Sequence, residues 1–379
     1  LAAAGWAARA QDPSTLFTNP AGMSRIQNST GQLGIEPIYG NVKFEPNSKT
    51  TVKGHEGHAD SWIPSGSFYY VQPLGTRFTI GVGSLGYFGS KMKFNDGWVG
   101  RYYVDKITMQ GFSLVPAVSY KVSKWLSVGL AANIMYGTLY QKVAINNRLD
   151  GTCDGRLKIK ADDISAGWIG GILVDLSCSS RFGIQYLSCV RLDLEDVPGF
   201  KNIGPRLQFI LDRTGLACAD VKVIAKVPQM VMFSAYHDVT CEWTFMWNVG
   251  WQQWSKFQKV SISLVDPNAT TLTFLPKYQD TWHVAMGLEY HYDCDWTISG
   301  GIAYDSSAVN NNFITELRGR SERQIAFSEE PFEEFSEEFI YNERGRKVYL
   351  KPEDAKISEN WKHIKRSRAF DQVPAANES

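Results

Sequence analysis

Two stretches of the chain alternate with a period of two, and that period constrains the fold more than any other feature. In KWLSVGLAANIMYGTLYQK, residues 124–142, one parity carries Leu126, Val128, Leu130, Ala132, Ile134 and Tyr136. The other carries Ser127, Gly129, Ala131, Asn133, Met135 and Gly137. Successive side chains of a strand point to opposite faces, so this is a β-strand with one apolar face. Residues 281–292 repeat the pattern, with Trp282, Val284, Met286, Leu288, Tyr290 and Tyr292 on one side. That side begins and ends in aromatics, as the lipid face of a membrane barrel does at its two interfaces. The opposite side (His283, Ala285, Gly287, Glu289, His291) is small and polar, which suits a wet or ligand-filled lumen.

About eleven strands of this kind are expected, near 31–45, 61–73, 76–90, 102–121, 125–145, 158–176, 181–196, 228–238, 243–263, 280–292 and 296–304. Many approach the ~10 residues that a tilted strand needs to cross a bilayer. Tight connectors at 72–75, 122–124, 177–180, 239–242 and 293–295 alternate with longer polar ones near 46–60, 91–101, 146–157, 197–227 and 264–279. A soluble β-sandwich also alternates, but it has no reason to sort its loops by end, short turns at one and long loops at the other, or to build aromatic girdles. The pattern therefore predicts an all-β fold, an antiparallel transmembrane β-barrel. The mean hydropathy of −0.24 is compatible with this, because only alternate residues face lipid. Lys plus Arg and Asp plus Glu both number 39, which argues against a nucleic-acid partner.

Both ends depart from the pattern. LAAAGWAARA lacks the basic start and apolar centre of a secretory signal, so the sequence is expected to begin after one. From Leu317 to Ser379, 25 of 63 residues are charged, against 21% for the whole chain, and nothing there alternates. Residues 309–379 are thus expected to be a non-barrel tail, either a soluble extension or sequence foreign to the barrel. Bacterial barrels close on even strand numbers, so about eleven strands would make an incomplete one.

FTNPAGM, residues 17–23, is neither strand nor helix. Pro20 fixes its own φ and restricts Asn19, and the Asn19 side chain can bond nearby backbone amides. AGWAARAQDPSTLFTNPAGMSRI, with Asn19, Pro20 and Ala21, resembles the N-terminal hatch of the FadL/TodX outer-membrane transporters of long-chain fatty acids and other hydrophobic compounds. SWIPSGSFYYVQPLGTRFTIGVGSLGYFG, WNVGWQQWSKFQKV and WTISGGIAYDSSAV resemble later strands of the same family, so the resemblance covers roughly residues 1–308. It implies a barrel of about 14 strands, with residues 1–30 folded into the lumen as a plug and residues 31–308 as an incomplete wall. It also implies a monomer in the bacterial outer membrane, inserted by the barrel-assembly machinery among outer-membrane lipid. No cofactor is implied. The implied activity is passive uptake of a hydrophobic molecule that leaves sideways through a kink in the third strand. The alternative is a structural or adhesive barrel without transport.

Four glycines fall within IGVGSLGYFG, residues 80–89, where the alternation fails. Glycines in a strand mark a bulge, a bend or a close approach. Gly83, Gly86 and Gly89 are the candidates for the kink, with relief of crowding against the plug as the other reading. The lumen parity there carries Leu85 and Tyr87, which are candidates for touching ligand. Met135 and Leu139 share that parity on a later strand and either line the ligand path or pack on the plug.

Other constellations carry less. His55 and His58 lack the further ligands that zinc requires, and no metal site is expected. No nucleophile elbow or phosphate loop occurs, so no enzyme is expected. Cys178, Cys241 and Cys294 fall in successive short turns about 10 Å apart, beyond disulfide reach. Cys153 and Cys218 lie at the other end, where a bridge is open to them. The apolar residues Phe200, Leu207, Phe209, Ile210 and Leu211 give the 197–227 loop a surface able to catch a greasy ligand or to pack on the rim as a short helix.

Overall fold

The computed structural model describes residues 1–46, 50, 52–147, 150–214, 221–257, 260–264, 272–274, 278–292, 296–309, 339–341 and 347–349. The chain forms two compact units, Leu1–Ile325 and Ala326–Ser379. In the second, the described residues form one hairpin of β17 (Phe339–Tyr341) and β18 (Lys347–Tyr349).

The first unit opens with a helical turn, α1 (Thr15–Thr18), and a 3-10 turn (Pro20–Arg25). Its strands are β1 (Thr30–Phe44), β2 (Gly57–Leu74), β3 (Phe78–Lys93), β4 (Lys106–Lys121), β5 (Leu126–Ile145), β6 (Gly155–Asp175), β7 (Ser180–Leu187), β8 (Val190–Asp196) and β9 (Gly199–Lys201). After α2 (Pro205–Thr214) come β10 (Val221–Val227), β11 (Met230–Asp238), β12 (Trp243–Gln252), β13 (Val260–Leu264), β14 (Leu272–Phe274), β15 (Thr281–His291) and β16 (Thr297–Asp305). Eleven of them make one antiparallel wall in the order β1-β2-β3-β4-β5-β6-β7-β11-β12-β15-β16, with β9 on β6. A second sheet runs β14-β13-β10-β8.

The wall has the two faces that the sequence demands. One parity is exposed and apolar: Ile35 is 80% exposed, Ile164 67%, Trp282 55% and Met286 50%. Soluble monomers rarely expose contiguous apolar patches beyond a few hundred Å², so a face apolar across eleven strands needs lipid. Aromatic pairs stand near its edges, with Phe78–Tyr120 at 4.7 Å and Trp243–Tyr290 at 4.6 Å near the short turns, and Tyr39–Trp62 at 5.1 Å toward the long loops. The other parity is buried, under the N-terminal segment at the short-turn end and under β8 and β10 nearer the long loops.

Three expected strands are cut differently. The stretch expected as one strand over 181–196 breaks at Ser188, whose N–H donates to the Trp168 carbonyl (2.9 Å) while its Oγ accepts from the Trp168 N–H (2.8 Å). That reciprocal pair ends the β6–β7 ladder and sends Val190, Leu192 and Leu194 onto the inner face. The stretch over 243–263 breaks after Gln252 into a 3-10 turn, Trp254–Phe257. Residues 102–105 precede β4 as part of a turn anchored by the Val104 N–H on the Gly100 carbonyl at 3.1 Å. The expected loop at 197–227 contains β9, α2 and β10.

Candidate functional site

The N-terminal segment sits against the buried face of the wall. Asn19 is its pivot and is fully buried. Its φ of −168° is the extended conformation that the following proline favours. Its Oδ1 caps the 3-10 turn by accepting from the Ala21 N–H at 3.1 Å. Its Nδ2 donates to the Ala7 carbonyl at 2.6 Å and to the Ile172 carbonyl of β6 at 3.0 Å. Pro20 at the first position of the turn needs no N–H there. Ala21 is fully buried, and its carbonyl accepts from Ser119 Oγ of β4 at 3.1 Å.

Wall residues complete this docking. Gln185 of β7 donates to the Phe17 carbonyl (2.7 Å) and accepts from Trp6 Nε1 (2.8 Å). Ser234 Oγ of β11 accepts from the Ala7 N–H at 2.9 Å, and Arg181 donates to the Ala8 carbonyl at 2.6 Å. Irregular backbone at membrane depth survives only when such partners satisfy it. The segment also lies very close to the wall. A Cβ at Gly129 would stand 2.2 Å from the Ala21 nitrogen, and one at Gly171 2.0 Å from Asn19 Oδ1.

The wall changes character between β2 and β3. Their ladder runs from Leu74↔Phe78 to Ser67↔Leu85 and stops there. The two chains next meet at an isolated bridge, Ala59↔Phe94. Among the described residues, no ladder pair joins β2 and β3 between these points. At the same level β3 bulges: Gly86 pairs with Phe112 of β4 and Phe88 with Gly111, leaving Tyr87 as the extra residue. Side chains occupy the seam instead of hydrogen bonds. A Cβ at Gly86 would lie 3.2 Å from Ser65 Oγ, and one at Gly89 3.1 Å from Ile63 Cγ2. Lys91 Nζ donates to the Trp62 carbonyl at 3.4 Å. The long-loop end is sealed by Phe94 and Trp98, stacked at 3.9 Å over Ala59.

A cavity of 410 Å³ opens at the inner end of this seam, lined by Gly34, Glu36, Ser65, Ser67, Leu85 and Gly86, among others. Leu85 and Tyr87 pack beside Leu16 and Phe17, and the Tyr87 and Phe17 rings meet edge to face at 5.8 Å. Gly83 belongs to the docking surface, since a Cβ there would meet Tyr69 at 2.8 Å and Leu16 at 3.2 Å. Met135 and Leu139 are covered by Val190, Leu192 and Leu194 of β8, away from the N-terminal segment. Tyr87 and Phe88 of the seam pack against the same cluster, as do Ile107 and Met109 of β4. Ser61 Oγ, Ser113 Oγ and both polar atoms of Asn133 are buried without a protein partner.

Beyond the seam, Arg101 ties the long loops together. Its Nε donates to Asp154 Oδ2 (2.7 Å), and its Nη1 to the carbonyls of Lys53 (2.9 Å) and Trp98 (3.2 Å). Tyr102 OH donates to Asp154 Oδ1 at 2.9 Å; burial, with Asp154 beside it, holds that phenol above its ordinary pKa. Among the described residues, no three His, Cys, Asp or Glu side chains cluster as metal ligands. His55 bridges to Trp98, and His58 stands 3.3 Å from Glu56. Cys153, Cys178, Cys189 and Cys241 are exposed free thiols, so Cys153 stands unbridged; Cys218 and Cys294 lie outside the described residues. Phe209, on α2, is 63% exposed.

Sequence reasoning did not find Gln185, Ser234, Arg181 or Ser113. Each is a polar residue on the inward parity of a wall strand, and parity alone does not separate such a group from one facing water.

A lipid-exposed antiparallel wall carrying an N-terminal segment on its inner face defines the class of outer-membrane transport barrels. Residues 1–317 match the family described as outer membrane protein transport protein (OMPP1/FadL/TodX), and the chain belongs to that family. It is 26% identical over 338 residues to the long-chain fatty acid transport protein of Escherichia coli O6:H1, covering 80% of this chain and 74% of that one. It is 23% identical over 349 residues to outer membrane protein P1 of Haemophilus influenzae, covering 80% and 74%. Among solved structures, a Pseudomonas aeruginosa FadL homologue superposes with a TM-score of 0.67 at 20% identity, over 81% of this chain and 79% of that chain. The Ralstonia pickettii toluene transporter TbuX gives 0.58 at 16%, over 80% and 85%. The protein is accordingly an outer-membrane β-barrel of a transport family.

Proposed function

We propose that the protein admits hydrophobic molecules passively and releases them sideways through the seam between β2 and β3. The observation that carries this reading is the interrupted ladder. A barrel wall in lipid normally pairs every backbone group. Here pairing stops at Ser67↔Leu85, beside a bulge and beside a cavity of 410 Å³. Residues 1–30 act as the hatch, with Asn19, Pro20 and Ala21 as its rigid elbow. At Gly86 and Gly89, β3 presents no side chain to the seam. Leu85 and Tyr87 present apolar surface where a ligand passes from hatch to wall. Long-chain fatty acids and aromatic hydrocarbons both suit this path, in keeping with the names of the relatives described above.

The test is Gly86→Phe, which puts a ring into the seam beside Ser65 and alters no residue that hydrogen-bonds the N-terminal segment. The purified variant and the wild type are placed in vesicles, and entry of a fluorescent fatty acid and of toluene is followed. Uptake falling to the rate of empty vesicles supports lateral exit. Unchanged uptake by a folded variant overturns lateral exit, and a wild type no faster than empty vesicles overturns transport and leaves a structural or adhesive barrel.

A further inference from the structure

Four lysines stand in one row across four consecutive wall strands. Lys93 of β3 is directly opposite Lys106 of β4, Lys106 is opposite Lys142 of β5, and Lys142 is opposite Lys158 of β6. Directly opposed residues share a face, and like charges placed so destabilise a sheet. The face is the outer one: these positions continue the parity of the exposed residues Phe112, Tyr136 and Ile164. The row lies at the long-loop end of the wall, just past Tyr140. The Lys106 and Lys158 ammoniums lie 4.9 and 5.6 Å from the centre of the Tyr140 ring. Tyr140 is thus placed as an interface aromatic, with the lysines where headgroups begin.

The row is not neutralised by the protein. Lys142 pairs with Asp105. Among the described residues, Lys93, Lys106 and Lys158 have no carboxylate within ion-pair distance. The nearest acid of the same parity on β6 is Asp162, two outward positions below Lys158, and Lys160 and Arg156 flank the row on that strand. Arg156 is in turn opposite Lys201 of β9. A repeated, uncompensated like-charge register is stable when an anion bridges it.

We propose that this row is a binding site for the phosphate groups of the outer-leaflet glycolipid, with Lys93, Lys106 and Lys158 as the contacting residues. Three things favour that occupant. The protein resides in the outer membrane. The short-turn end of such barrels faces the periplasm, which puts the row on the outer leaflet. And the row is continuous with the lipid-facing apolar surface, so one lipid can lay its chains on Phe112, Ile134 and Tyr136 and its phosphates on the lysines.

The experiment titrates the full chain in detergent micelles with bis-phosphorylated lipid A and, separately, with its dephosphorylated form. The same titrations are run on the triple variant Lys93→Gln/Lys106→Gln/Lys158→Gln. A control variant, Lys121→Gln/Lys124→Gln, changes charge at the short-turn end. At roughly fivefold per lysine, wild type and control should prefer the phosphorylated lipid by on the order of 100-fold, and the triple variant should lose that preference. Equal binding of the two lipids by the wild type overturns the site and needs no variant. A folded triple variant that keeps its preference overturns the residue assignment. Displacement of the lipid by equimolar inorganic pyrophosphate overturns the lipid as occupant.

Discussion

The seam between β5 and β6 and the seam between β2 and β3 belong to one wall, yet they are built differently. The first is paired without interruption from Leu126↔Val174 to Ile145↔Gly155. The second pairs only at the short-turn end and is held further up by side chains. The N-terminal segment follows the same division. Asn19, Ala21 and Ser24 reach β6, β4 and β5 through buried or part-buried hydrogen bonds. Toward the β2–β3 seam the segment offers mainly apolar contacts, from Leu16 and Phe17 to Leu85 and Tyr87. Hydrogen bonds in a membrane need fixed geometry, whereas apolar contacts can be exchanged for a ligand at small cost. Under the proposed lateral exit, directional bonds stand where the wall stays shut and exchangeable contacts stand beside the seam that would part.

Hydrogen exchange gives the largest difference between the two seams. Amides of residues 61–66 and 86–93 that point into the β2–β3 seam should exchange on the order of 1000-fold faster than those of residues 127–139 in β5. Equal protection would mean that the β2–β3 wall is closed by bonds in solution, and the comparison would fail.

Next in size is the loss of the elbow. Asn19→Ala strands the Ala21 N–H, the buried Ala7 carbonyl and the part-buried Ile172 carbonyl, which costs about 3 kcal/mol. The measurement is the denaturant midpoint of the purified barrel. A shift below about 1 kcal/mol would show that the N-terminal segment is not docked through Asn19.

A matched pair of substitutions separates the seams more finely. Gly129→Ala puts a methyl 2.2 Å from a backbone nitrogen that is itself locked, so a loss of about 2–3 kcal/mol is expected. Gly86→Ala puts the same methyl 3.2 Å from the end of the Ser65 side chain, which can rotate away, so less than about 1 kcal/mol is expected. Both are read from the same unfolding curves. Equal losses would remove the distinction between a docking glycine and a seam glycine.

The wall was legible in the sequence because its signal is local. Period-two stretches near 125–145 and 280–292 need no knowledge of partners. The glycines of residues 80–89 likewise announced an irregular strand. Which residue is inserted was not legible, because Tyr87 and Phe88 are both large aromatics and a flip of parity between them leaves the pattern unchanged. Val190, Leu192 and Leu194 alternate as well as any wall strand does. Only the Ser188–Trp168 pair, a contact twenty residues apart, sends them inward. The lysine row was invisible for the same reason: Lys93, Lys106, Lys142 and Lys158 are unremarkable singly, and only register aligns them.

The smallest effect concerns the outer end of the β2–β3 seam. Trp98 seals that end, and Arg101 holds the Trp98 carbonyl while bonded to Asp154 and Tyr102. The Tyr102 phenol has a folded pKa raised above its ordinary value of 10.0, by burial and by Asp154. A raised folded pKa means that the folded state binds the proton more tightly than the unfolded one. The associated stability is fully present below pH 10.0 and is lost as pH rises through the folded value. Ionised Tyr102 would also face Asp154 as a like charge and lose its bond to it. Melting temperatures at pH 8 and pH 11 should therefore differ more for the wild type than for Tyr102→Phe, by about 1–2 °C for a chain of this size. Other tyrosines and lysines titrate in both proteins and cancel in the difference. An identical pH response in the two would show that the Arg101–Tyr102–Asp154 cluster is too solvated to couple to the fold, and the seal at Trp98 would then rest on its stacking with Phe94 alone.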